Sequence, residues 1–344
     1  MTSYAVRDCY RIVSIPFATL EVTGKCNSRC QTCNVWKMQA ESNREARDEM
    51  RREEFCQVIA QLKELGCSSI ELHGGEPTLR SDLPDLIAQC SALRIGTMFA
   101  TNGLNMSEKL ASELVKAGLS QIRFSLEGTR ETHNLIRGRK DAFDRQMQAI
   151  GAIQRADTQN RVTKIINTTI SSMNIQGIEE IAELAKQTGI HHVLVFSASV
   201  IEPQAAEQTN AIFQEEVVYH RSLVDPNVRV RDPDLIERKR EQLLKKAREH
   251  NIRLNNSTFF TMPASAVARG IKRPPGPCSR IYHACTVDSF GDVVPCEYVR
   301  YKLGSVRESD LKTILTGGRF RAFSRLYSQN VDRLRICDYC CHSL

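Results

Sequence analysis

Three cysteines near the start of the chain are the residues whose type and spacing point most directly to chemistry. Cys26, Cys30 and Cys33 form a C-x3-C-x2-C run. Three thiolates in one loop can hold three corners of a cubane iron–sulfur cluster, which leaves the fourth iron without a protein ligand. That iron can bind a substrate or a cofactor, whereas a ferredoxin adds a fourth cysteine to the run. The spacing therefore predicts a cluster with one open iron.

The cysteine count as a whole supports ligation rather than disulfides. The chain has 13 cysteines in 344 residues, and residues 1–11 lack the apolar segment of a signal peptide. Disulfides belong to oxidising compartments and are typical of short secreted chains. We therefore expect a cytoplasmic protein in which cysteines bind metal, while four others are packed as small apolar side chains, namely Cys9, Cys56, Cys67 and Cys90.

Composition excludes several other classes of protein. Hydrophobic residues make up 41% of the chain, yet no apolar stretch reaches the roughly 18 residues of a membrane span, so no membrane partner is expected. The formal net charge is +7, but aromatic residues are only 6% and do not alternate with Lys and Arg. Two bound clusters would also lower the net charge to about +4. Nucleic acid is therefore not an expected partner.

The elements that must position the cysteines alternate between strand and helix. Helices are expected at residues 52–65, 82–90, 107–117, 142–155 and 178–188. Strands are expected at residues 17–22, 69–72, 96–100, 121–126, 162–170 and 192–196. Ser81 and Ser107 occupy N-cap positions, and Gly66, Gly118 and Gly189 follow helix ends. Six such units predict an α/β fold with a parallel sheet, a partial (β/α)6 TIM-like barrel.

The rest of the chain differs in composition. Residues 201–277 contain two charged helical stretches, at 204–224 and 233–250, and we expect a helical linker there. A Pro-Pro-Gly-Pro run ends that segment. Residues 278–344 form a small cysteine-rich module with one expected helix at 309–315. The predicted domains are thus a core at 1–200, the linker at 201–277 and the module at 278–344.

At this point the motifs resemble a known family. The cysteine run, followed by Gly74-Gly75-Glu76-Pro77 at the end of the second strand, resembles the radical S-adenosylmethionine (radical SAM) enzymes. The resemblance implies that the open iron binds the amino and carboxylate groups of S-adenosylmethionine. It further implies that the reduced [4Fe–4S] cluster splits this cofactor into a 5′-deoxyadenosyl radical that removes a hydrogen atom from the substrate.

The resemblance also implies cofactor-binding residues at the strand ends. Gly74 and Gly75 would let the backbone approach the methionine moiety, and Glu76 would receive its ammonium group. Asn102 follows the third strand. Ser125 and Glu127 end the fourth, where the family places polar contacts to the cofactor. Arg137 matches a family arginine that pairs with the carboxylate through a bidentate fork. A turn or an ordinary surface arginine is the alternative for each motif taken alone.

The C-terminal cysteines resemble the shortened, twitch form of the SPASM extension, which holds one auxiliary [4Fe–4S] cluster. On that resemblance Cys278, Cys296, Cys337 and Cys340 are its four ligands, and a site with four ligands favours electron transfer over substrate binding. A zinc site with the same C-x2-C spacing is the alternative. Cys285 and Cys341 remain as replacement ligands or spare residues, and Cys285 is a candidate hydrogen-atom donor.

Three functions follow from these expectations. The first is a radical oxidoreductase that oxidises a small polar substrate of sugar or aminocyclitol type, because only 25 residues precede Cys26 and no leader-binding extension is expected. The second is an epimerase in which a cysteine returns a hydrogen atom, and the third is a maturase that modifies a peptide. A reducing partner such as flavodoxin or ferredoxin is expected in each case. A non-catalytic zinc or iron–sulfur protein is the alternative of another class.

Overall fold

The computed structural model describes residues 14–37, 48–217, 225–271, 278 and 280–340. Ten strands lie within these ranges: β1 Phe17–Thr23, β2 Ser69–Gly74, β3 Gly96–Thr101, β4 Gln121–Ser125, β5 Thr163–Ile170, β6 His192–Ser197, β7 Arg253–Leu254, β8 Ala284–Val287, β9 Asp292–Val294 and β10 Gly304–Ser305. The six strands expected from the sequence are β1 to β6, each with ends within two residues of the expected position.

All ten strands belong to one sheet with the order β10-β9-β8-β1-β2-β3-β4-β5-β6-β7. The strands from β8 to β7 along this order pair in parallel, whereas β9 and β10 pair antiparallel at one edge. This architecture confirms the α/β partial barrel. It also extends it, because β7 comes from the expected linker and β8 from the expected cysteine-rich module. The three predicted segments therefore share one sheet and one core.

The helices are α1 Arg52–Glu64, α2 Leu83–Ala92, α3 Glu108–Lys116, α4 Arg130–Arg137, α5 Ala142–Ala156, α6 Glu180–Thr188, α7 Pro203–Phe213, α8 Pro233–Glu249, α9 Thr258–Thr261, α10 Ala264–Ala268, α11 Arg280–His283, α12 Leu311–Thr316 and α13 Gly318–Asn330. The sequence did not indicate α4 or α13. The second half of the helix expected at 204–224 lies largely outside the described residues.

Local signals explain most helix ends. The Ser107 hydroxyl accepts a hydrogen bond from the Leu110 N–H at 3.1 Å, so the expected N-cap of α3 is confirmed. Gly189 ends α6 with a φ of +66°, a conformation that suits glycine. The expected cap at Ser81 is wrong by one position, because Asp82 occupies the N-cap of α2. No helix in the described ranges combines the length and apolarity needed to cross a bilayer.

The two faces of the sheet differ in chemistry. Ile70 and Leu72 on β2 are fully buried and belong to the hydrophobic core together with helix residues. Glu71 and His73 alternate with them and face the other way. Glu71 reaches across β3 to Arg123 on β4, with a 2.9 Å contact between Oε1 and Nη1. One face therefore packs against helices, and the opposite face carries polar and charged groups.

Candidate active site and two groups of cysteines

The N-terminal cysteine loop, residues 24–37, leaves the carboxyl end of β1. Cys30 is buried, and Cys26 and Cys33 are half-buried. The Gly24 N–H donates to Glu49 Oε1 at 2.6 Å, and the Thr23 hydroxyl donates to the same carboxylate. The Glu49 carboxylate thus holds the start of the loop in place. No sequence signal indicated this residue, because its partners lie 25 positions or more away.

Hydrogen-bond donors surround the thiols of this loop. The Arg137 guanidinium donates from Nη1 to Cys30 Sγ at 3.5 Å, and the Val35 N–H donates to Cys33 Sγ at 3.5 Å. The Ser28 hydroxyl lies 3.2 Å from Cys30 Sγ. Such donors stabilise thiolate ligands and set cluster potentials, so this donor set fits an iron–sulfur cluster. Burial raises the pKa of the Cys26 thiol to about 11, so metal binding must supply the deprotonation there.

Among the described residues, no three His, Cys, Asp or Glu side chains converge closely enough to hold a single metal ion. A cubane cluster distributes its ligands over several irons, so the arrangement of donors around each thiol is the relevant geometry.

Gly74 and Gly75 lie where β2 meets the cysteine loop. A Cβ atom at Gly74, whose φ is +134°, would lie 2.1 Å from the Thr23 carbonyl oxygen, and one at Gly75 would lie 2.0 Å from the Lys25 carbonyl oxygen. The Gly75 N–H donates to that Thr23 oxygen at 2.9 Å. The structure therefore gives these glycines a role that the sequence did not indicate, since they let β2 pack directly against the loop that carries the thiols.

Glu76 is buried and accepts hydrogen bonds from protein groups. Oε1 accepts from the Thr78 and Thr101 hydroxyls at 2.7 and 2.8 Å, and Oε2 accepts from the Asn102 N–H at 2.7 Å. Burial raises its pKa, although these hydrogen bonds favour the charged form. The carboxylate links the ends of β2 and β3. Its contact with the cofactor ammonium group stays a prediction.

Asn102 joins the end of β3 to the cysteine loop. Its Nδ2 donates to Asn27 Oδ1 at 2.8 Å, and its Oδ1 accepts from the Leu104 N–H at 2.9 Å. Asn27 lies next to Cys26 in the sequence. Asn102 therefore positions the loop in the structure, and neither Asn27 nor this link was expected.

Ser125, Glu127 and Arg137 lie together at the ends of β4 and α4. Ser125 is buried at the last position of β4. Arg137 Nη2 donates to Glu127 Oε1 at 2.6 Å, and the Thr169 N–H donates to Oε2 at 2.9 Å. The two side chains are only 13% and 3% exposed, so this is a buried ion pair. Arg137 thus bridges a carboxylate and the Cys30 thiol, where the resemblance implied only a fork onto the cofactor.

Electrostatics at this pair follow from burial and from opposite charge. Burial raises the pKa of Glu127, and the Arg137 cation opposes that rise. For Arg137, burial lowers the pKa, but the Cys30 thiol and the Glu127 carboxylate outweigh it and raise the net value. Arg137 therefore stays a cation beside the cysteine loop. Helix α4, which delivers it, begins after the N-cap Thr129 and ends at Gly138 with a φ of +66°, and this pair of caps could have revealed it from sequence.

The C-terminal cysteine group comprises Cys278, Cys296, Cys337 and Cys340. Cys296 lies between β9 and β10, and its Sγ accepts from the Val299 N–H at 3.2 Å. The Cys278 N–H donates to the Tyr327 hydroxyl of α13 at 2.8 Å. The Cys340 N–H donates to the Cys337 carbonyl at 3.2 Å, which forms a tight turn between those two thiols. These four residues come from three separate segments of the chain. Cys278 is an electrostatic neighbour of Cys296, and burial raises the pKa of Cys296 to about 11. Their ligation of one cluster stays a prediction.

Cys285 lies elsewhere. It is 1% exposed in β8, opposite Ala18 near the start of β1, whereas the cysteine loop follows the other end of β1. Burial raises its pKa to about 12, with Cys67 as its charged neighbour. Cys285 therefore lies toward the amino ends of the strands, whereas the cysteine loop, Glu76 and Glu127 follow the carboxyl ends of β1, β2 and β4. Its role as a hydrogen-atom donor stays a prediction. Cys341 lies outside the described residues.

Comparisons with known proteins agree with this geometry. A family model for the radical SAM superfamily matches residues 20–185, and a model for the SPASM iron–sulfur cluster-binding domain matches residues 278–341. The AdoMet-dependent heme synthase of Methanosarcina barkeri is 24% identical over 326 residues, which cover 93% of this chain and 87% of that protein.

Two further relatives match in different ways. The PqqA peptide cyclase of Rhizobium meliloti is 33% identical over 172 residues, 49% of this chain, and the match spans less than half of that protein, 44%. The crystal structure of Streptococcus suis SuiB bound to S-adenosylmethionine superposes with a TM-score of 0.67 at 18% identity, covering 96% of this chain and 73% of that chain. This last likeness is one of fold.

The two matched domains and the donors around the thiols establish the cofactors as S-adenosylmethionine and [4Fe–4S] clusters. The chain therefore belongs to the radical SAM superfamily and carries a C-terminal SPASM iron–sulfur domain.

Proposed function

We propose that this radical SAM enzyme oxidises a peptide substrate, with an auxiliary [4Fe–4S] cluster at Cys278, Cys296, Cys337 and Cys340 as electron acceptor. The single observation that carries the radical chemistry is the contact between the Arg137 guanidinium and Cys30 Sγ at the carboxyl ends of the strands. It joins a buried cation to a cluster thiol at the carboxyl ends of the strands, where barrel-type folds perform catalysis.

The chain's own residues have distinct tasks in this mechanism. When bound at Cys26, Cys30 and Cys33, the cluster supplies the electron that cleaves S-adenosylmethionine into methionine and a 5′-deoxyadenosyl radical. Arg137 keeps a positive charge beside Cys30, and Glu127 orients Arg137.

Other residues position the loop and the cofactor. Glu76 and Asn102 hold the ends of β2 and β3 against the cysteine loop. Gly74 and Gly75 allow that close approach. We propose that backbone groups of this junction and the Ser125 side chain at the end of β4 contact the methionine moiety and the ribose of the cofactor.

Oxidation balances when two one-electron steps are counted. Abstraction of one hydrogen atom from the substrate would give 5′-deoxyadenosine. Loss of a proton to solvent or a neighbouring base, and of one electron to the cluster at Cys278, Cys296, Cys337 and Cys340, would complete the oxidation. One electron would thus enter at the first cluster and one would leave through the second, so each product consumes one S-adenosylmethionine and no net external electron. We favour a dehydrogenation over an epimerisation, because Cys285 lies toward the amino ends of the strands, away from the cysteine loop that follows the carboxyl end of β1.

A peptide is favoured over the sugar or aminocyclitol first expected. The relative that is 33% identical over about half of this chain is named a peptide cyclase. No relative reported above is named for a sugar substrate.

Charge on the polar face of the sheet also suits a peptide. Arg300 contacts Glu21 Oε1 at 2.7 Å and Asp288 Oδ2 at 3.4 Å, and Arg123 contacts Glu71 Oε1 at 2.9 Å. Both arginines are therefore already paired with carboxylates of the protein. A substrate that binds through amide hydrogen bonds fits such a surface better than one that carries several negative charges.

A porphyrin is the second candidate, and the observation that favours it is the length of the match to AdoMet-dependent heme synthase, which spans 93% of this chain. Another Methanosarcina barkeri relative is named an Fe-coproporphyrin III synthase. Iron coproporphyrin III and peptides encoded beside the gene are therefore the two probes to compare.

Anaerobic reconstitution tests the proposal. We expect roughly eight irons per chain from two four-iron clusters and release of 5′-deoxyadenosine with dithionite as reductant. A peptide product should be lighter by two hydrogens and should appear in a one-to-one ratio with 5′-deoxyadenosine. Zinc without iron, or iron without cofactor cleavage, would contradict the proposed function. Turnover of iron coproporphyrin III but no peptide would replace the substrate class alone.

A further inference from the structure

The surface beside the cysteine loop carries an unusual apolar side chain. Leu135 is 57% exposed. Among the residues that the structure describes, it is the one large hydrophobic side chain with such exposure. It lies in α4, two positions before Arg137, whose guanidinium touches Cys30 Sγ. An isolated exposed leucine is ordinary, so its neighbours decide whether this position has a function.

Hydrogen bonds fasten this end of α4 to the cysteine loop. The Gln31 N–H donates to the Ile136 carbonyl at 2.8 Å, and Gln31 Nε2 donates to the Leu135 carbonyl at 3.0 Å. The Ser28 hydroxyl donates to the Arg137 carbonyl at 3.1 Å. Three successive carbonyls of the helix end therefore accept from the loop that carries the thiols. The surface around Leu135 is thus the outer wall of that loop.

Cations surround this wall. Arg29 and Lys37 are exposed on the loop, with their charges 6.0 and 5.5 Å from the centre of the Trp36 ring. Arg139 and Lys140 are exposed just beyond α4. Among the described contacts between these four side chains and carboxylates, the shortest joins Arg139 Nε to Asp141 Oδ1 at 2.9 Å. The face defined by Leu135, Arg29, Lys37, Arg139 and Lys140, called here the basic face, is therefore cationic around an apolar centre.

We propose that the basic face docks a small acidic electron-transfer protein of the flavodoxin or ferredoxin type. This inference rests on the proposed function, in which the first cluster must gain one electron before each cofactor is cleaved. The partner loses one electron and the cluster at the cysteine loop gains it, so no further reactant is involved. Charge complementarity selects the partner, because a negative surface is attracted to this face and steered onto it. Electron-transfer complexes are small and transient, as suits a face built around one leucine.

The path inward from this face is short. Trp36 Nε1 donates to the Cys30 carbonyl at 3.1 Å, and the backbone of α4 leads from Leu135 to Arg137 within one helical turn. Both routes end at Cys30. A partner seated over Leu135 would therefore deliver its electron next to the thiol that Arg137 contacts.

The test compares two reductants with the reconstituted full chain. One is flavodoxin with its reductase and NADPH, and the other is dithionite, which needs no docking site. The readout is 5′-deoxyadenosine formed in the absence of substrate. For K37E/K140E we expect a rise of about tenfold in the KM for flavodoxin at low salt and a weaker dependence of kcat/KM on salt. The dithionite-driven rate should stay within about twofold of the unaltered protein.

A matched control makes the same change of charge elsewhere. Arg238 and Lys245 are exposed on α8, and R238E/K245E should leave both reductants unaffected. Leu135→Ala should raise the KM for flavodoxin by a smaller factor than the charge reversal does.

Several outcomes would overturn the docking assignment. They are an unchanged KM in K37E/K140E, an equal loss in R238E/K245E, or an equal loss with dithionite, which would mean a damaged loop. Failure of the unaltered chain to cleave S-adenosylmethionine with dithionite would instead contradict the proposed function.

Discussion

The two groups of cysteines are built in different ways. The N-terminal loop holds its thiols within residues 26–33, and polar side chains from distant elements support it, above all Arg137 and Glu49. The thiols of the C-terminal group are spread over residues 278–340. Of these, Cys278, Cys296 and Cys337 pack against the hydrophobic core. A polar surround suits a cluster that exchanges ligands with a cofactor. An apolar surround suits one that only stores an electron.

The contrast also concerns assembly. The thiols of the loop lie within eight residues of one another in the sequence, whereas the C-terminal thiols come from segments separated by β8, β9, α12 and α13. Iron binding by the second group is therefore coupled to folding of the whole C-terminal region. The four predictions below test this difference and are ordered by their expected effect on cleavage of S-adenosylmethionine.

Cys30→Ala should have the largest effect. Cys30 is the buried thiol of the loop and the one that Arg137 contacts. Its loss should remove the first cluster, lower iron from roughly eight to about four per chain, and abolish 5′-deoxyadenosine formation. Iron analysis and chromatography of the dithionite reaction measure both. Cys56→Ala, at a half-buried position on α1, is the control and should retain iron and activity. Persistent cleavage in Cys30→Ala would remove the basis of the mechanism.

The difference between the two groups of cysteines also explains which parts of this site the sequence can predict. The spacing of Cys26, Cys30 and Cys33 is local, so the first group could be predicted from residue types alone. The strand ends that carry Glu76 and Glu127 were also predictable, because alternating strands and helices bring the carboxyl ends of parallel strands to one edge. The contacts that hold these residues were not predictable, since Asn27 meets Asn102 only in the folded chain.

The fold shows the same division. The strands β1 to β6 carry strong periodic patterns, whereas β7 has only two residues and could not be recognised by pattern. The role of Gly75 was missed because the carbonyl that a Cβ atom would strike belongs to Lys25, fifty positions away. Contacts of this kind depend on tertiary packing and leave no signal in either segment.

Arg137→Met should have the second largest effect. It leaves Glu127 as a buried carboxylate without its cation, a change that costs about 3–5 kcal/mol of stability. Cofactor cleavage should fall by about 10- to 100-fold, as for other residues that support metal ligands. Denaturant unfolding and the dithionite assay measure the two effects.

Its pH dependence sharpens the prediction. Burial raises the pKa of Glu127, and removing Arg137 raises it further. Folded Glu127 then keeps a proton that the unfolded chain has lost, so the free energy of unfolding should fall as pH rises above the ordinary carboxyl pKa. Arg137→Met should therefore be less destabilised at pH 5.5 than at pH 8. Arg139→Met, an exposed arginine two residues on, is the matched control and should show neither effect. A loss of stability independent of pH would contradict the ion pair.

Cys296→Ala should separate the two groups. Iron should again fall from roughly eight to about four per chain, but cleavage of S-adenosylmethionine with dithionite should stay within about threefold of the unaltered protein. The reason is that different residues contact the two groups: Arg137 and Val35 donate to thiols of the loop, whereas Val299 donates to Cys296. Product formation should be lost, because the substrate radical has no electron acceptor. Equal loss of cleavage in Cys296→Ala and Cys30→Ala would show that the groups are not independent.

Cys285→Ala should have the smallest effect. It tests whether Cys285 belongs to either group of cysteines. Cys285 is a fully buried thiol in β8 beside Cys67, at the end of the strands away from the cysteine loop. Replacing sulfur with hydrogen leaves a small cavity, and we expect a loss of about 1 kcal/mol from the free energy of unfolding. Iron content and 5′-deoxyadenosine formation should match the unaltered protein, and so should the ratio of product to cofactor consumed. A drop in iron content would instead make Cys285 a cluster ligand. Failure to change the hydrogen content of the substrate would make Cys285 a participant in the radical reaction.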